Sequence, residues 1–215
     1  YNAYGQNFGN QNPPKKSIEE SKIASDTLSA EKNAKCEKIV FNIRMSDLKT
    51  NLTKHERIYY FVNNSVEPIY DVNIGIMTKS KKEFQDLNVK IFDESEELKI
   101  SRISSLPPFV KELTVKLRRP IFKGDSGRMI KVYYEAEEPY RYFENLFLTG
   151  TTNFELNFSL PYDAKVAPKL HYVDLKNDSE KLIDESKRIV KGMSTTIQWQ
   201  KDDGVNLKDM IRLEW

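Results

Sequence analysis

Residues 36–45 read Cys36-Glu37-Lys38-Ile39-Val40-Phe41-Asn42-Ile43-Arg44-Met45. Ile39, Phe41, Ile43 and Met45 alternate with Lys38, Val40, Asn42 and Arg44. An extended chain therefore sends one apolar row to one side and a mostly polar row to the other. A helix would scatter the same apolar positions around its axis, so the segment is predicted to be a half-buried strand. The period of two recurs downstream. Ile58, Tyr60 and Val62 form the next run, and Tyr70, Val72, Ile74 and Ile76 follow Pro68. Leu87, Val89 and Ile91 come next, then Leu98, Ile100 and Ile103. Leu113, Val115 and Leu117 are answered by Ile130, Val132, Tyr134 and Ala136 across the turn at Lys123-Gly124-Asp125-Ser126-Gly127. Seven such runs fall within about 100 residues, with turn residues between them, which is the spacing of an antiparallel sandwich rather than of alternating strands and helices.

The remainder of the chain continues the pattern with one break. After Pro139 comes an aromatic stretch, Arg141 to Leu148. Phe154, Leu156, Phe158 and Leu160 then alternate cleanly. Leu170, Tyr172 and Leu175 predict a shorter strand, and two more follow from Thr195, Ile197 and Trp199 and from Ile211, Leu213 and Trp215. Residues 179–191 read instead as a short helix: Asp178 or Ser179 caps it, Leu182, Ser186 and Ile189 share a face, and Gly192 stands at its C-terminus. At the other end, residues 1–16 are rich in Asn, Gln and Gly and predict a flexible arm. Ser17 and Glu20 supply a capping box for a helix reaching about Ala34. The fold class is mostly β, an antiparallel β-sandwich. The expected domains are an arm plus helix over 1–35, a sandwich over 36–139 and a second β-rich domain over 140–215. One large sandwich over 36–215 is the alternative. The strand count and turn spacing are similar to those of immunoglobulin-like sandwiches, an analogy of architecture that names no function.

Composition excludes several function classes. Lys and Arg number 34 against 32 Asp and Glu, giving a net charge of +2. The balance holds along the chain, with nets of +1 over 1–36, +2 over 37–140 and −1 over 141–215. A nucleic-acid binder concentrates positive charge on one face, so nucleic acid is not an expected partner. The local clusters at Lys79, Lys81 and Lys82 and at Lys116, Arg118, Arg119 and Lys123 read as solvated surface. Cys36 is the only cysteine, which rules out an internal disulfide and fits a reducing compartment, so the cytoplasm is the expected location. No apolar run approaches the ~18 residues of a membrane-spanning helix. The chain opens on Tyr1 rather than Met, and it is expected to be part of a longer protein.

Few residues offer catalytic chemistry. Gly124-Asp125-Ser126-Gly127 is similar to the nucleophile motif of chymotrypsin-like serine proteases, and His55, Asp71 or Asp86, and Ser126 occur in that family's chain order. Arg128 stands where the family has a third glycine, and His55 lies in Thr53-Lys54-His55-Glu56. A hairpin turn accounts for the same residues. Cys36 with His55 or His171 gives one thiol and two scattered imidazoles. The acidic groups Asp93-Glu94-Glu96-Glu97 and Asp202-Asp203 are ordinary turn chemistry. No phosphate-binding glycine loop is present. No cofactor, metal or catalytic residue is expected.

The aromatic run Tyr140, Arg141, Tyr142 and Phe143 is the candidate binding site, because aromatic and arginine side chains dominate binding hot spots. Trp199 and Trp215 read as core. The functional expectation is a non-enzymatic binding module that recognises a protein partner, a ligand or another part of a longer chain. Its alternative is a glycan-binding module, and a serine hydrolase using Ser126 ranks behind both.

Overall fold

A computed structural model describes residues 34–78, 83–106 and 110–215. The expected arm and helix before residue 34, and Lys79, Lys81 and Lys82, lie outside the described residues. The architecture is mostly β, with fifteen strands among the described residues. β1 (Ala34–Asp47) pairs antiparallel with β2 (Leu52–Asn63). β3 (Ile69–Met77) leaves for a second sheet. A single 3-10 turn at Phe84–Leu87 precedes β4 (Lys90–Asp93) and β5 (Glu96–Glu97). β6 (Ile100–Leu106) and β7 (Val110–Ile121) join β3, and β8 (Arg128–Glu137) returns to pair with β2. β9 (Tyr142–Leu146) opens a third sheet, while β10 (Thr151–Pro161) lies parallel beside β1. β11 (Lys169–Asp174), β12 (Ser179–Ile183) and β15 (Met210–Glu214) complete the third sheet. β13 (Ser186–Lys191) and β14 (Ser194–Lys201) extend the first.

The strand orders are β13-β14-β10-β1-β2-β8-β4-β5, then β12-β11-β15-β9, then β3-β7-β6. The eight-stranded sheet runs across Pro139, since β1, β2, β4, β5 and β8 precede it and β10, β13 and β14 follow. The core does the same. Ile39, Phe41 and Ile43 of β1 share one cluster with Val72 and Ile74 of β3, Phe154 and Phe158 of β10, and Ile211 and Leu213 of β15. A smaller cluster of Met77, Val110, Leu146, Leu148, Val173, Leu175 and Met210 sits between the three- and four-stranded sheets. The start of β10 is clamped by Val205, which exchanges backbone hydrogen bonds of 2.9 and 3.0 Å with Thr151. Gly204 makes this approach feasible: its φ is +67°, and a Cβ there would fall 1.8 Å from the Thr151 carbonyl oxygen.

The alternation read from β1, β7, β8 and β10 coincides with their buried faces. Three expectations are corrected. The helix expected over 179–191 is two edge strands, β12 and β13, joined by Asp184-Glu185. Pairing with β11 and β14 overrides the local helical spacing, and Gly192 takes its left-handed φ of +56° in a hairpin turn instead of a helix C-cap. Tyr70 is exposed rather than part of the Val72 face, because a register irregularity between Ile69 and Asp71 shifts the phase and puts Ile69 inside.

The third correction is in β2. Its inward row is Thr53, His55, Arg57, Tyr59 and Phe61, while Ile58 and Tyr60 lie on the opposite, half-exposed face. Arg57 is 0% exposed. Its guanidinium carbon lies 4.6 Å from the Phe41 ring centre, 4.8 Å from Tyr134 and 5.6 Å from Phe143. Nη1 donates to the Gly75 carbonyl at 2.6 Å, and Nη2 donates to the Tyr134 hydroxyl. Among the described residues it forms no ion pair with a carboxylate. Burial lifts the Tyr59 and Tyr134 phenols above their ordinary range despite the nearby positive charge, so both stay protonated beside it.

His55 stacks on Tyr134 with ring centres 4.3 Å apart. The one hydroxyl proton of Thr53 goes to the Ala136 carbonyl at 3.0 Å. The 2.8 Å contact between Thr53 Oγ1 and His55 Nε2 is therefore donated by the imidazole. In the neutral ring this leaves Nδ1 as the deprotonated nitrogen, buried and without a hydrogen-bond partner among the described residues. Burial, and then the charge of Arg57, hold the His55 pKa well below the ordinary 6.5. The unfolded chain thus takes up a proton near pH 6.5 that the folded chain refuses. His55 leaves stability independent of pH above that value, and it removes stability as pH falls below it. Urea unfolding at pH 7.5 and 5.5 should show the native protein losing about 1 kcal/mol more than His55→Gln. An equal loss in both proteins would contradict the assignment of a neutral His55.

Candidate functional site: the polar face of the eight-stranded sheet

With Phe41 and Ile43 turned into the core, strand geometry turns Asn42 and Arg44 outward. Register then aligns outward residues across five strands. One row runs Tyr133, Glu56, Asn42, Asn157 and Gln198 through β8, β2, β1, β10 and β14. The next runs Glu135, Lys54, Arg44, Ser159 and Thr196. Between them lies an open groove of about 530 Å³, lined by Asn42, Arg44, Lys54, Glu56, Tyr133 and Asn157, with Ser159 and Thr196 at one end.

The first row is joined side chain to side chain. Glu56 accepts from Asn42 Nδ2 at 2.7 Å and from the Tyr133 hydroxyl at 2.8 Å. Asn157 Nδ2 donates to Asn42 Oδ1 at 3.0 Å and to Glu155 Oε1 at 2.9 Å. Glu155 also receives Gln198 at 3.0 Å and Lys38 at 3.1 Å. Burial works against the Glu155 carboxylate, but these donors outweigh it and hold its pKa below the ordinary value. Burial, followed by the hydrogen bond and charge of Glu56, pushes Tyr133 up to about 12.

The second row is less committed. Lys54 meets Glu135 at 3.0 Å in an exposed pair, a kind worth little on its own. Ser159 and Thr196 share a hydroxyl contact of 2.8 Å. Arg44 is exposed and forms no hydrogen bond or ion pair among the described residues. The groove thus sets a rigid, saturated amide–carboxylate row beside a free guanidinium and two hydroxyls. That combination suits a polar ligand carrying acceptor groups.

The four residues of the expected aromatic site are divided by burial. Tyr140 is 61% exposed, and its ring stacks on Tyr142 at 6.0 Å. Arg141 is exposed, with φ +56°. Tyr142 is buried in β9, and Phe143 is 0% exposed beside Arg57. Trp199 is buried, and Trp215 is partly buried against Phe158 at 5.2 Å.

The other residues singled out from sequence are dispersed. Ser126 lies on the exposed β7–β8 turn, where Phe122 N donates to the Asp125 carboxylate at 2.8 Å, while His55 faces the core. Cys36 is buried and pairs across β1–β2 with Phe61, six residues along the strand from His55. His171 contacts Glu180 at 3.0 Å on the four-stranded sheet. Asp93 is paired with Arg128 at 2.9 Å, Glu96 with Arg118 at 2.8 Å and Asp203 with Lys201 at 2.6 Å. Lys116, Arg118 and Arg119 are exposed on β7. Among the described residues, no three His, Cys, Asp or Glu side chains converge to hold a metal ion, and no helix is long and apolar enough to cross a membrane.

No protein-family model matches the chain, and no curated protein does. Solved structures do resemble it in fold. An M1 zinc metallopeptidase from Deinococcus radiodurans aligns at 7% identity with a TM-score of 0.56, over 86% of this chain and 43% of that one. A two-domain M1 zinc metallopeptidase bound to L-tryptophan aligns at 8% identity with a TM-score of 0.54, over the same shares. Native leukotriene A4 hydrolase from Saccharomyces cerevisiae aligns at 9% identity with a TM-score of 0.52, over 93% of this chain and 31% of that one. The chain spans less than half the length of each. At these identities the likeness is one of fold.

The groove chemistry is open to measurement at Tyr133. Replacing Glu56 by Gln removes the negative charge but leaves the burial. The Tyr133 pKa, followed by its ring Cζ chemical shift, should fall from about 12 while staying above an ordinary phenol. An unchanged value in Glu56→Gln would show that Glu56 does not organise the row.

Proposed function

We propose that this chain is a non-enzymatic β-sandwich binding module of a longer protein, and that it recognises its partner or ligand on the outward face of the eight-stranded sheet. The observation that carries the proposal is the groove itself: a five-strand polar surface prearranged by its own hydrogen bonds, with Arg44 left free at its centre. Prearranged side chains lose little conformational freedom when a ligand arrives, which favours recognition. Membership of a longer protein is in keeping with a chain that spans 43% and 31% of the solved structures it resembles.

The same proposal puts the module in a reducing compartment such as the cytoplasm, supported by a sequence with one cysteine, the buried Cys36. It takes a protein partner or another part of the longer chain as occupant. Nucleic acid is disfavoured by the even charge distribution along the chain. The immunoglobulin-like analogy adds nothing about the ligand. Tyr140 and Arg141 are the members of the aromatic run that remain exposed for contacts outside the groove.

A glycan ligand is the alternative, favoured by the mixed amide, carboxylate and tyrosine lining. A photo-crosslinking amino acid placed at Ser159 of the full-length protein, in its own cells, distinguishes the readings. One dominant protein adduct is expected, absent when the probe sits at Lys123 on the β7–β8 turn and reduced by Arg44→Glu. Identical adducts from both positions would overturn the groove as the binding surface. Retention on a glycan array that is lost in Tyr133→Ala, without a protein adduct, would replace it with the alternative.

A further inference from the structure

We propose that β13 is a docking edge for an extended, acidic strand from a partner protein. This surface adjoins the Thr196 end of the groove, but it uses the backbone edge of β13 rather than the groove's own side chains, and its test does not involve Arg44 or Tyr133. β13 closes one end of the eight-stranded sheet and, among the described residues, is hydrogen-bonded on one side only, to β14. All six of its residues, Ser186–Lys191, are exposed. Its outer backbone N–H and C=O groups form a row onto which another strand can add. The opposite end of the sheet is different in kind: β5 has two residues, Glu96–Glu97, and Glu96 is held by Arg118 at 2.8 Å.

The side chains of β13 define what fits. Register places Lys187, Ile189 and Lys191 beside Gln198, Thr196 and Ser194, and Arg188 and Val190 beside Ile197 and Thr195 on the other face. Each face thus offers an exposed apolar residue flanked by positive charge. Val190 is 52% exposed and Met193, in the following turn, 90%. The Tyr162 amide donates to the Met193 carbonyl at 3.0 Å, which sets another exposed ring at the end of the edge. No acidic residue interrupts the strand, and Lys187, Arg188 and Lys191 form no ion pair among the described residues.

Positive residues on an edge ordinarily prevent pairing. Here they prevent one kind of pairing and favour another. An antiparallel second copy centred on Ile189 would set Lys187 against Lys191, a like-charge opposition that destabilises the ladder. The same charges attract a strand with acidic residues at alternate positions and apolar residues between them. Repulsion of the wrong partner and attraction of the right one together give specificity.

The test uses the 215-residue chain and three labelled octapeptides: four Glu-Val repeats, four Lys-Val repeats, and the Glu-Val peptide with N-methylated valines. Fluorescence anisotropy should show the Glu-Val peptide binding, the Lys-Val peptide failing to bind and N-methylation abolishing binding. Lys187→Glu combined with Lys191→Glu should weaken the Glu-Val peptide at least tenfold. Amide hydrogen exchange on the native protein should show protection gained in 186–191, a readout that needs no variant. Equal binding of the acidic and basic peptides, undiminished binding after N-methylation, no binding at all, or protection appearing elsewhere would each overturn the proposal. Sedimentation showing that the native chain is itself a dimer, with amide protection in 186–191 that is lost on dilution, would overturn the choice of partner in favour of a second copy.

Discussion

The guanidinium of Arg57 lies where the three sheets meet, and the architecture depends on how its charge is satisfied. It projects from β2 of the eight-stranded sheet, reaches the Gly75 carbonyl of β3 in the three-stranded sheet, and lies against Phe143 of β9 in the four-stranded sheet. Taking such a charge out of water costs several kcal/mol. No carboxylate among the described residues offsets that cost. Three aromatic faces and the oxygens of Gly75, Tyr134 and Tyr59 do so, with cation–π contacts that strengthen when water is excluded. Lysine would not replace it, because a single ammonium cannot present two parallel donors while lying flat against rings. The same enclosure dictates the state of its neighbours, since His55 is kept neutral and Tyr134 protonated by the burial that hides the charge.

From that knot outward, the alternation of each strand converts a fixed interior into a fixed exterior. Phe41 and Ile43 anchor β1 from below, and Asn42 and Arg44 are therefore held above. The parallel pairing of β1 with β10 carries the same order into the second half of the chain, bringing Asn157 next to Asn42 across 115 residues. A groove built this way is stiff, because moving one of its side chains disturbs hydrogen bonds on several strands. Enclosure is least at the β12–β13 corner, where every residue but Ile183 is exposed and each strand has a single neighbour among the described residues.

Legibility in the sequence followed the same gradient. β1 and β10 were readable because one face of each is wholly apolar and the other is mostly polar. The apolar pattern of β2 points to the wrong face because Arg57 and His55 sit inside, and a period of two cannot reveal a charge enclosed by rings contributed from distant segments. The edge strands β12 and β13 carry no clear alternation, since all of their residues but Ile183 are exposed, and a weak helical spacing fills the gap. A register irregularity hid the phase of Tyr70. The groove was not legible at all: Asn42, Glu56, Tyr133 and Asn157 are unremarkable singly and become a row only through strand register. The run from Tyr140 to Phe143 was visible as composition, but which of its rings face water depended on β9 being covered on both sides.

Equilibrium urea unfolding of Arg57→Met tests this account most directly. Methionine keeps most of the volume and removes the charge and donors, so the Gly75 carbonyl and the Tyr134 hydroxyl lose their partner inside the protein. The account predicts a loss of about 2–4 kcal/mol, seen as a midpoint lowered by about 1 M urea or more. A variant as stable as the native protein, or more so, would show that the buried charge is merely tolerated and that apolar contacts alone join the three sheets.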